Sequence, residues 1–454
     1  MNADQAMAEL RQQGGEFIVL TNLAGVYPPY DIVPLAPKQT RVPGDLLAVL
    51  FDMDGTTTLT EDICMYSLDY ALRRMALNED GTSRFPGMSH ERDYPHIIGR
   101  SASNNAEYLM QAYGNLFNDA PFKRAYLKAA AWNLNAQRDV IRQADAQATL
   151  IMTGGAAVLA DPAYQALVAR AGDDPLPEDV FDSVPEAAGW LAQLRLDHHE
   201  DRLRAALDIY YERLHSYFHW IRLGRGSEVA RDVYGDANRA AIAPLPGIGV
   251  AFALARGWVQ ADEADGFAQY LADGVGMKLL PEHSQRIAAT ARWTAQHKVM
   301  VGLVTSSGLY EATTVLYEVF KGLRLEVERW PVSPERRAFF AERFATAQGF
   351  YDTIVTADNS HEIRLKPYRD LYTIGAQQLG IKPHMLKNVV GFEDTWAGVT
   401  AMRGAGIGVP CAVPFEGTTG HDFRSAAHVF AKGLSQAMLE HGLFLQDEAL
   451  AGQQ

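Results

Sequence analysis

The chain has 454 residues, 48% of them hydrophobic and 21% charged, an ordinary globular balance with room for roughly three domains at ~150 residues each. A formal charge of −14 argues against a nucleic-acid partner, because binding a polyanion usually shows a basic stripe. Cys64 and Cys411 are the only cysteines, neither at a metal-ligand spacing, which excludes a disulfide framework and suits a reducing compartment.

Residues 1–45 precede the first strongly apolar strand and are expected to form an arm packed on the core. Met1-Asn-Ala-Asp-Gln-Ala-Met lacks the basic-then-apolar pattern of a signal segment. No run of about 18 apolar residues is present to span a membrane. A cytoplasmic protein is the expectation. Glu16 to Thr21 reads as an edge strand, and Tyr27-Pro-Pro-Tyr opens a Pro-rich extended segment.

The most informative stretch follows, Leu46-Leu-Ala-Val-Leu-Phe-Asp52-Met-Asp54-Gly55-Thr56. An apolar run ending in two carboxylates one residue apart reads as a buried strand opening into an acidic loop. In parallel α/β sheets, functional groups collect just beyond the carboxyl ends of the strands. Side chains alternate along a strand, so Asp52 and Asp54 face the same way if strand geometry persists. Such a pair repels itself unless a cation or a shared proton relieves it. Gly55 lets the chain bend sharply.

Residues 59–298 carry mostly helical patterns. Asn104 to Tyr113 and Glu186 to Tyr217 place apolar residues at helix-like spacings, with Leu191, Leu194, Leu203, Leu207 and Leu214 on the second. Asp173-Asp-Pro-Leu-Pro and Ala243-Pro-Leu-Pro-Gly read as breaks. Within this region, His96-Ile-Ile-Gly99-Arg100-Ser101 precedes a helix that Ser103 or Asn104 is placed to cap. His215 and His219 are four apart on a helix, but the Glu of a zinc H-E-x-x-H motif is missing, and His198-His199 reads as solvated.

Val299-Met-Val-Gly-Leu-Val304-Thr305-Ser306-Ser307-Gly308 is a second apolar run, ending in small hydroxyl residues suited to hydrogen-bonding phosphate oxygens without crowding. Arg364-Leu-Lys366-Pro367-Tyr-Arg369-Asp-Leu371-Tyr follows, with Pro367 read at a first helical position. A third strand pattern, Asn388-Val-Val-Gly-Phe-Glu393-Asp394-Thr395-Trp-Ala-Gly398, ends in an acidic pair before an Ala/Gly-rich helix reaching Gly406. Gly404-Ala-Gly-Ile-Gly408 mimics half a dinucleotide fingerprint, but it follows a helix and leads into a strand, the reverse of what that loop requires. After residue 411 the pattern reads as a loop and a helix from Phe423 to His441.

Taken in order, these four segments resemble the four motifs of the haloacid-dehalogenase (HAD) superfamily: strand and DxDGT, strand and Thr/Ser, Lys-Pro, and an acidic pair. One departure is Arg369, where many relatives have a second Pro. The Ile-Gly-Arg segment around Arg100 resembles a substrate loop in the β-phosphoglucomutase and phosphoglycolate-phosphatase branch.

The resemblance implies an α/β fold. Its core, 46–58 and 299–454, would be a Rossmann-like parallel sheet, and an unusually large all-α cap, 59–298, would be inserted after the first strand. It implies Asp52 as nucleophile and Asp54 as general acid, then base. Thr305 and Lys366 would bind phosphoryl oxygens, joined at the substrate by Ser306, Gly55 and Arg100. Asp52, the Asp54 carbonyl, Asp394 and Glu393 would hold the metal. An all-oxygen donor set without Cys or clustered His indicates Mg²⁺ rather than zinc.

The expected activity is a Mg²⁺-dependent phosphatase acting on a small phosphorylated metabolite. A sugar phosphomutase is the first alternative. Mutase relatives place a His a few residues beyond the DxDG loop, and this chain has none between Asp52 and Ser89. A non-catalytic binding protein on the same core is the second alternative, and the full set of acidic, hydroxyl and ammonium positions counts against it. Substrate identity and oligomeric state are not readable from the sequence.

Overall fold

A computed structural model describes residue 8 and residues 15–22, 27–78, 80–135, 139–360 and 364–446. The N-terminal segment read for a signal pattern lies outside them. The fold is α/β. The chain divides into two compact units, Met1–Leu59 with Ile242–Gln454, and Thr60–Ala241.

The first unit is built on a six-stranded sheet whose strands lie side by side in the order Thr353–Val355, Met300–Val304, Ala48–Phe51, Val389–Glu393, Val409–Ala412 and His428–Val429. Its strands are β3 (Ala48–Phe51), β4 (Met300–Val304), β5 (Thr353–Val355), β6 (Val389–Glu393), β7 (Val409–Ala412) and β8 (His428–Val429). Every pairing is parallel. Helices cover both faces of such a sheet, so its central strands read as continuous apolar runs, and β3 and β6 are buried along their whole length. On one face Leu50, Val304 and Val389 pack with Leu371, Tyr372, Val399 and Met402 from the two helices that follow the later motifs. On the other face Phe51 stacks on Phe392 at 5.4 Å and meets Phe252 edge-on at 5.0 Å.

Phe252 accounts for the main departure from the expected domain boundaries. It belongs to the helix Ile248–Ala255, whose eight residues are all buried within the first unit. The helices Ala264–Gly274 and Pro281–Gln296 pack in the same unit against the C-terminal helix Gly433–His441. Residues 242–298 therefore lie with the sheet rather than with the helical insertion. An apolar octet covering the sheet has the same pattern as one inside a helical domain, because each is buried all round.

The N-terminal strand also differs from expectation. Glu16–Thr21 (β1) pairs antiparallel with Tyr30–Leu35 (β2) in a separate two-stranded sheet, not at the edge of the main one. The buried Arg403 holds this arm, with its Nε donating to the Ala36 carbonyl at 3.0 Å and its Nη1 at 2.5 Å from Glu16. The last helix begins at Gly433 rather than Phe423, because the preceding residues supply β8.

The second unit is helical, with no named strand among its described residues. Its longest helix, His199–Arg222, packs against Glu61–Met75 and Asp119–Asn133. The pattern expected over Glu186 to Tyr217 is two helices, Ala187–Gln193 and His199–Arg222, separated by an extended Leu194. Ser101 caps the helix Ala102–Tyr113, accepting from the Asn104 amide at 3.3 Å, in place of the expected Ser103 or Asn104. His215 lies near Asp139 at 3.9 Å, whereas His219 pairs with Asp173 at 2.9 Å, so the two histidines serve different carboxylates. No helix among the described residues is long and apolar enough to cross a membrane.

Candidate active site

Parallel pairing of β3 with β4 on one side and β6 on the other sets Phe51 level with Leu303 and Phe392. Asp52, Thr305 and the Glu393-Asp394 pair therefore emerge at one end of three adjacent strands. The Asp52 amide still donates to Phe392 O at 3.0 Å, extending the ladder by one bond. Beyond it the chain curls, with the Thr57 and Thr58 amides donating to Met53 O at 2.9 and 3.0 Å. Gly55 makes that curl possible for two reasons. Its φ is +83°, and a Cβ there would run into the Asp394 carboxylate.

Lys366 joins the strand ends. Its ammonium donates to Asp52 Oδ1 and to the Val304 carbonyl at 2.8 Å, and lies 2.6 Å from Glu393 Oε1. Three donors meet three acceptors in a buried place, which is what an ammonium needs to be tolerated there. The residue comes from a loop, not from a helix start as expected. The helix begins at Asp370, three residues after Pro367, and the Lys366-Pro367 peptide is cis.

Glu393 is held from both sides. Its Oε1 also accepts from the Tyr372 hydroxyl at 2.6 Å, and its Oε2 accepts from Thr395 Oγ1 at 3.4 Å. Thr395 at the same time caps the helix Trp396–Ala405 through the Gly398 amide at 3.0 Å. Gly398 leaves the space that the Glu393 carboxyl group fills, since a Cβ there would overlap it. Asp54 turns to the second motif, where its Oδ2 accepts from Ser307 Oγ at 2.7 Å and Thr305 Oγ1 at 3.3 Å.

Asp52, Glu393 and Asp394 are 5%, 1% and 0% exposed, and each has a carboxylate oxygen within 4.8 Å of the others. Burial, then the charges of Glu393 and Asp54, push the Asp52 carboxyl well above its ordinary range and outweigh the opposing Lys366. Burial also works against the Lys366 ammonium, but Asp52 and Glu393 together hold its pKa above the ordinary value. One ammonium among three buried carboxylates, with the half-buried Asp54 beside them, leaves an excess of negative charge. A hard divalent cation fits the all-oxygen donor set of Asp52, Glu393 and Asp394 and would relieve that excess.

Of the residues singled out in the sequence, Asp52, Asp54, Gly55, Thr305, Lys366, Glu393 and Asp394 come together here. Ser306 adjoins them, its Oγ buried and without a hydrogen-bond partner among the described residues. Arg100 lies in the other unit, exposed on a turn closed by its amide to Ile97 O at 3.1 Å. Ser307 and Tyr372 were not singled out. Ser307 carried a signal, its place in the Thr-Ser-Ser run. Tyr372 reads as one more apolar position on an amphipathic helix, and nothing local marks its hydroxyl.

The four motif segments stand in the order of the HAD-like motifs they resemble. No family model and no curated protein matches it. Among solved structures, CbbY from Rhodobacter sphaeroides in complex with phosphate is 14% identical, with a TM-score of 0.40 over 88% of this chain and 100% of that one. A hydrolase from Pseudomonas syringae is 13% identical, with a TM-score of 0.33 over 88% and 100%. A HAD hydrolase of family IA, variant 3, from Entamoeba histolytica is 11% identical, with a TM-score of 0.33 over 90% and 99%.

Proposed function

We propose that this chain is a Mg²⁺-dependent phosphomonoester hydrolase that works through an aspartyl-phosphate on Asp52 and acts on a small phosphorylated metabolite. The observation that carries the reading is the convergence of Asp52, Glu393 and Asp394 with Lys366 at one buried sheet end, beside Asp54.

An Asp52 oxygen attacks phosphorus, the bond from phosphorus to the leaving oxygen breaks, and Asp54 delivers a proton to that oxygen. Water then attacks the phosphorus of the acyl phosphate while Asp54 takes its proton, releasing inorganic phosphate and restoring the Asp52 carboxylate. Lys366 orients Asp52 and, with Thr305 and Ser306, binds the phosphoryl oxygens, so the protein mainly positions groups and neutralises charge. Asp52, Glu393, Asp394 and the Asp54 carbonyl would hold Mg²⁺, which when bound neutralises charge on the phosphoryl group.

Asp54 favours phosphate ester over carbon–halogen chemistry, which has no leaving oxygen to protonate. A screen of phosphate release tests the reading, using sugar phosphates, phosphoglycolate, nucleotides and p-nitrophenyl phosphate with Mg²⁺ and with EDTA. Release with Mg²⁺ that EDTA abolishes is expected. Full activity in metal-free buffer would contradict the metal assignment, and isomerised sugar phosphate with little free phosphate would favour the mutase.

A further inference from the structure

Tyr372 stands behind the carboxylate cluster, on the helix Asp370–Gln378, and is fully buried. Its hydroxyl donates at 2.6 Å to Glu393 Oε1, the same oxygen that lies 2.6 Å from the Lys366 ammonium. Two donors on Oε1 fix the rotation of the Glu393 carboxyl group, while Thr395 Oγ1 is the donor on Oε2 at a longer 3.4 Å. The Lys366 ammonium is shared with Asp52, so it cannot hold Glu393 independently of the nucleophile. The Tyr372 ring also lies beneath the Lys366 ammonium, 5.3 Å from its centroid, but among the described residues its hydroxyl hydrogen-bonds Glu393 and not the nucleophile.

We propose that Tyr372 is a positioning residue for the metal site: it pins Glu393 so that its carboxylate is already arranged for a divalent cation. Outer-sphere hydrogen bonds of this kind orient carboxylate ligands, and removing one typically weakens metal binding by about 10- to 100-fold. The inference rests on the Mg²⁺ site proposed above.

The test is isothermal calorimetry of MgCl₂ binding to the full chain without substrate, on wild type, Y372F, Y372L and L371A. Leu371 neighbours Tyr372 in the buried core and its side chain has no hydrogen-bonding group, so L371A reports the effect of loosening that helix. Y372F and Y372L are expected to bind Mg²⁺ at least about tenfold more weakly, while L371A lowers stability and leaves Mg²⁺ affinity within twofold. A double-mutant cycle with E393D gives a second readout. The shortened carboxylate cannot keep the Tyr372 bond, so Y372F should cost nothing further in that background.

Wild-type protein that binds no Mg²⁺ would sink the metal reading itself. Wild-type binding with unchanged affinity in folded Y372F or Y372L would sink this inference and leave that reading standing. An equal loss in L371A, or failure of both Tyr372 variants to fold, would likewise overturn it, by making Tyr372 a support of the fold rather than of the site.

Discussion

At the scale of single residues, the site is a set of hydroxyls and one ammonium that hold carboxylates in place. Ser307 shows how much one hydroxyl carries. It makes the shorter of the two bonds to Asp54 Oδ2, and its own amide donates to Thr305 Oγ1 at 3.0 Å, so it orients both the proposed acid and a phosphoryl ligand. A hydrogen bond to a charged group contributes about 1.5–3 kcal/mol, so S307A is expected to lower kcat roughly tenfold or more with a smaller change in KM. Steady-state kinetics on the best substrate would check this, and an unchanged kcat would remove Ser307 from the mechanism. Such contacts are the least legible from sequence. Asp52, Asp54 and Lys366 announced themselves by type and spacing, whereas Ser307 was one of three adjacent hydroxyl residues and only the loop geometry chose between them.

At the scale of elements, the ends of β3, β4 and β6 deliver the chemistry, and the helix after β6 locks it. Gly398 lies in the first turn of that helix, where Ala would ordinarily be favoured by about 1 kcal/mol. Here a Cβ would overlap the Glu393 carboxyl group, so the usual sign reverses. G398A is expected to lose about 1–3 kcal/mol of stability by overpacking, read by urea denaturation, and to weaken Mg²⁺ binding with it. A gain in stability would show that Glu393 moves aside freely. The sequence made these strands legible because a strand buried on both faces is an unbroken apolar run. It misplaced the Lys-Pro helix start and the Phe423 to His441 helix, where the loops are set by tertiary bonds such as Lys366 to Val304 O.

At the scale of the whole molecule, pH-dependent stability exposes a buried charge far along the sequence from the motifs. Asp208 lies fully buried on the helix His199–Arg222, where its Oδ1 is 3.6 Å from Arg142 and its Oδ2 has no hydrogen-bond partner among the described residues. Burial raises its pKa to about 6 from 3.8, against the opposing charge of Arg142. A carboxyl whose folded pKa is raised favours the folded state only while protonated. Its contribution is therefore present below about pH 3.8, falls between about 3.8 and 6, and is gone above. The interval corresponds to about 3 kcal/mol as an upper bound, at 1.36 kcal/mol per unit. D208N should stabilise the protein at pH 8 by up to that amount, with the gain shrinking toward pH 4. Thermal unfolding across that range checks it, and a gain independent of pH would contradict the assignment.

The domain boundary belongs to this scale too. A helical insertion expected to reach residue 298 ends at Ala241 in the structure. No local signal separates a helix that covers a sheet from one that builds a lid.

In the proposed mechanism Asp52 carries the phosphoryl group. The direct measurement is acid-quenched turnover followed by peptide mass spectrometry, in wild type, in Asp54→Ala, which should slow hydrolysis of the intermediate, and in Asp52→Asn. A phosphoryl group is expected on the Asp52 peptide, accumulating in Asp54→Ala. In Asp52→Asn it should be absent, with turnover down by well over roughly 10³-fold. Phosphate release by Asp52→Asn at more than about a tenth of the wild-type rate, or a phosphoryl group mapped to another residue, would contradict it.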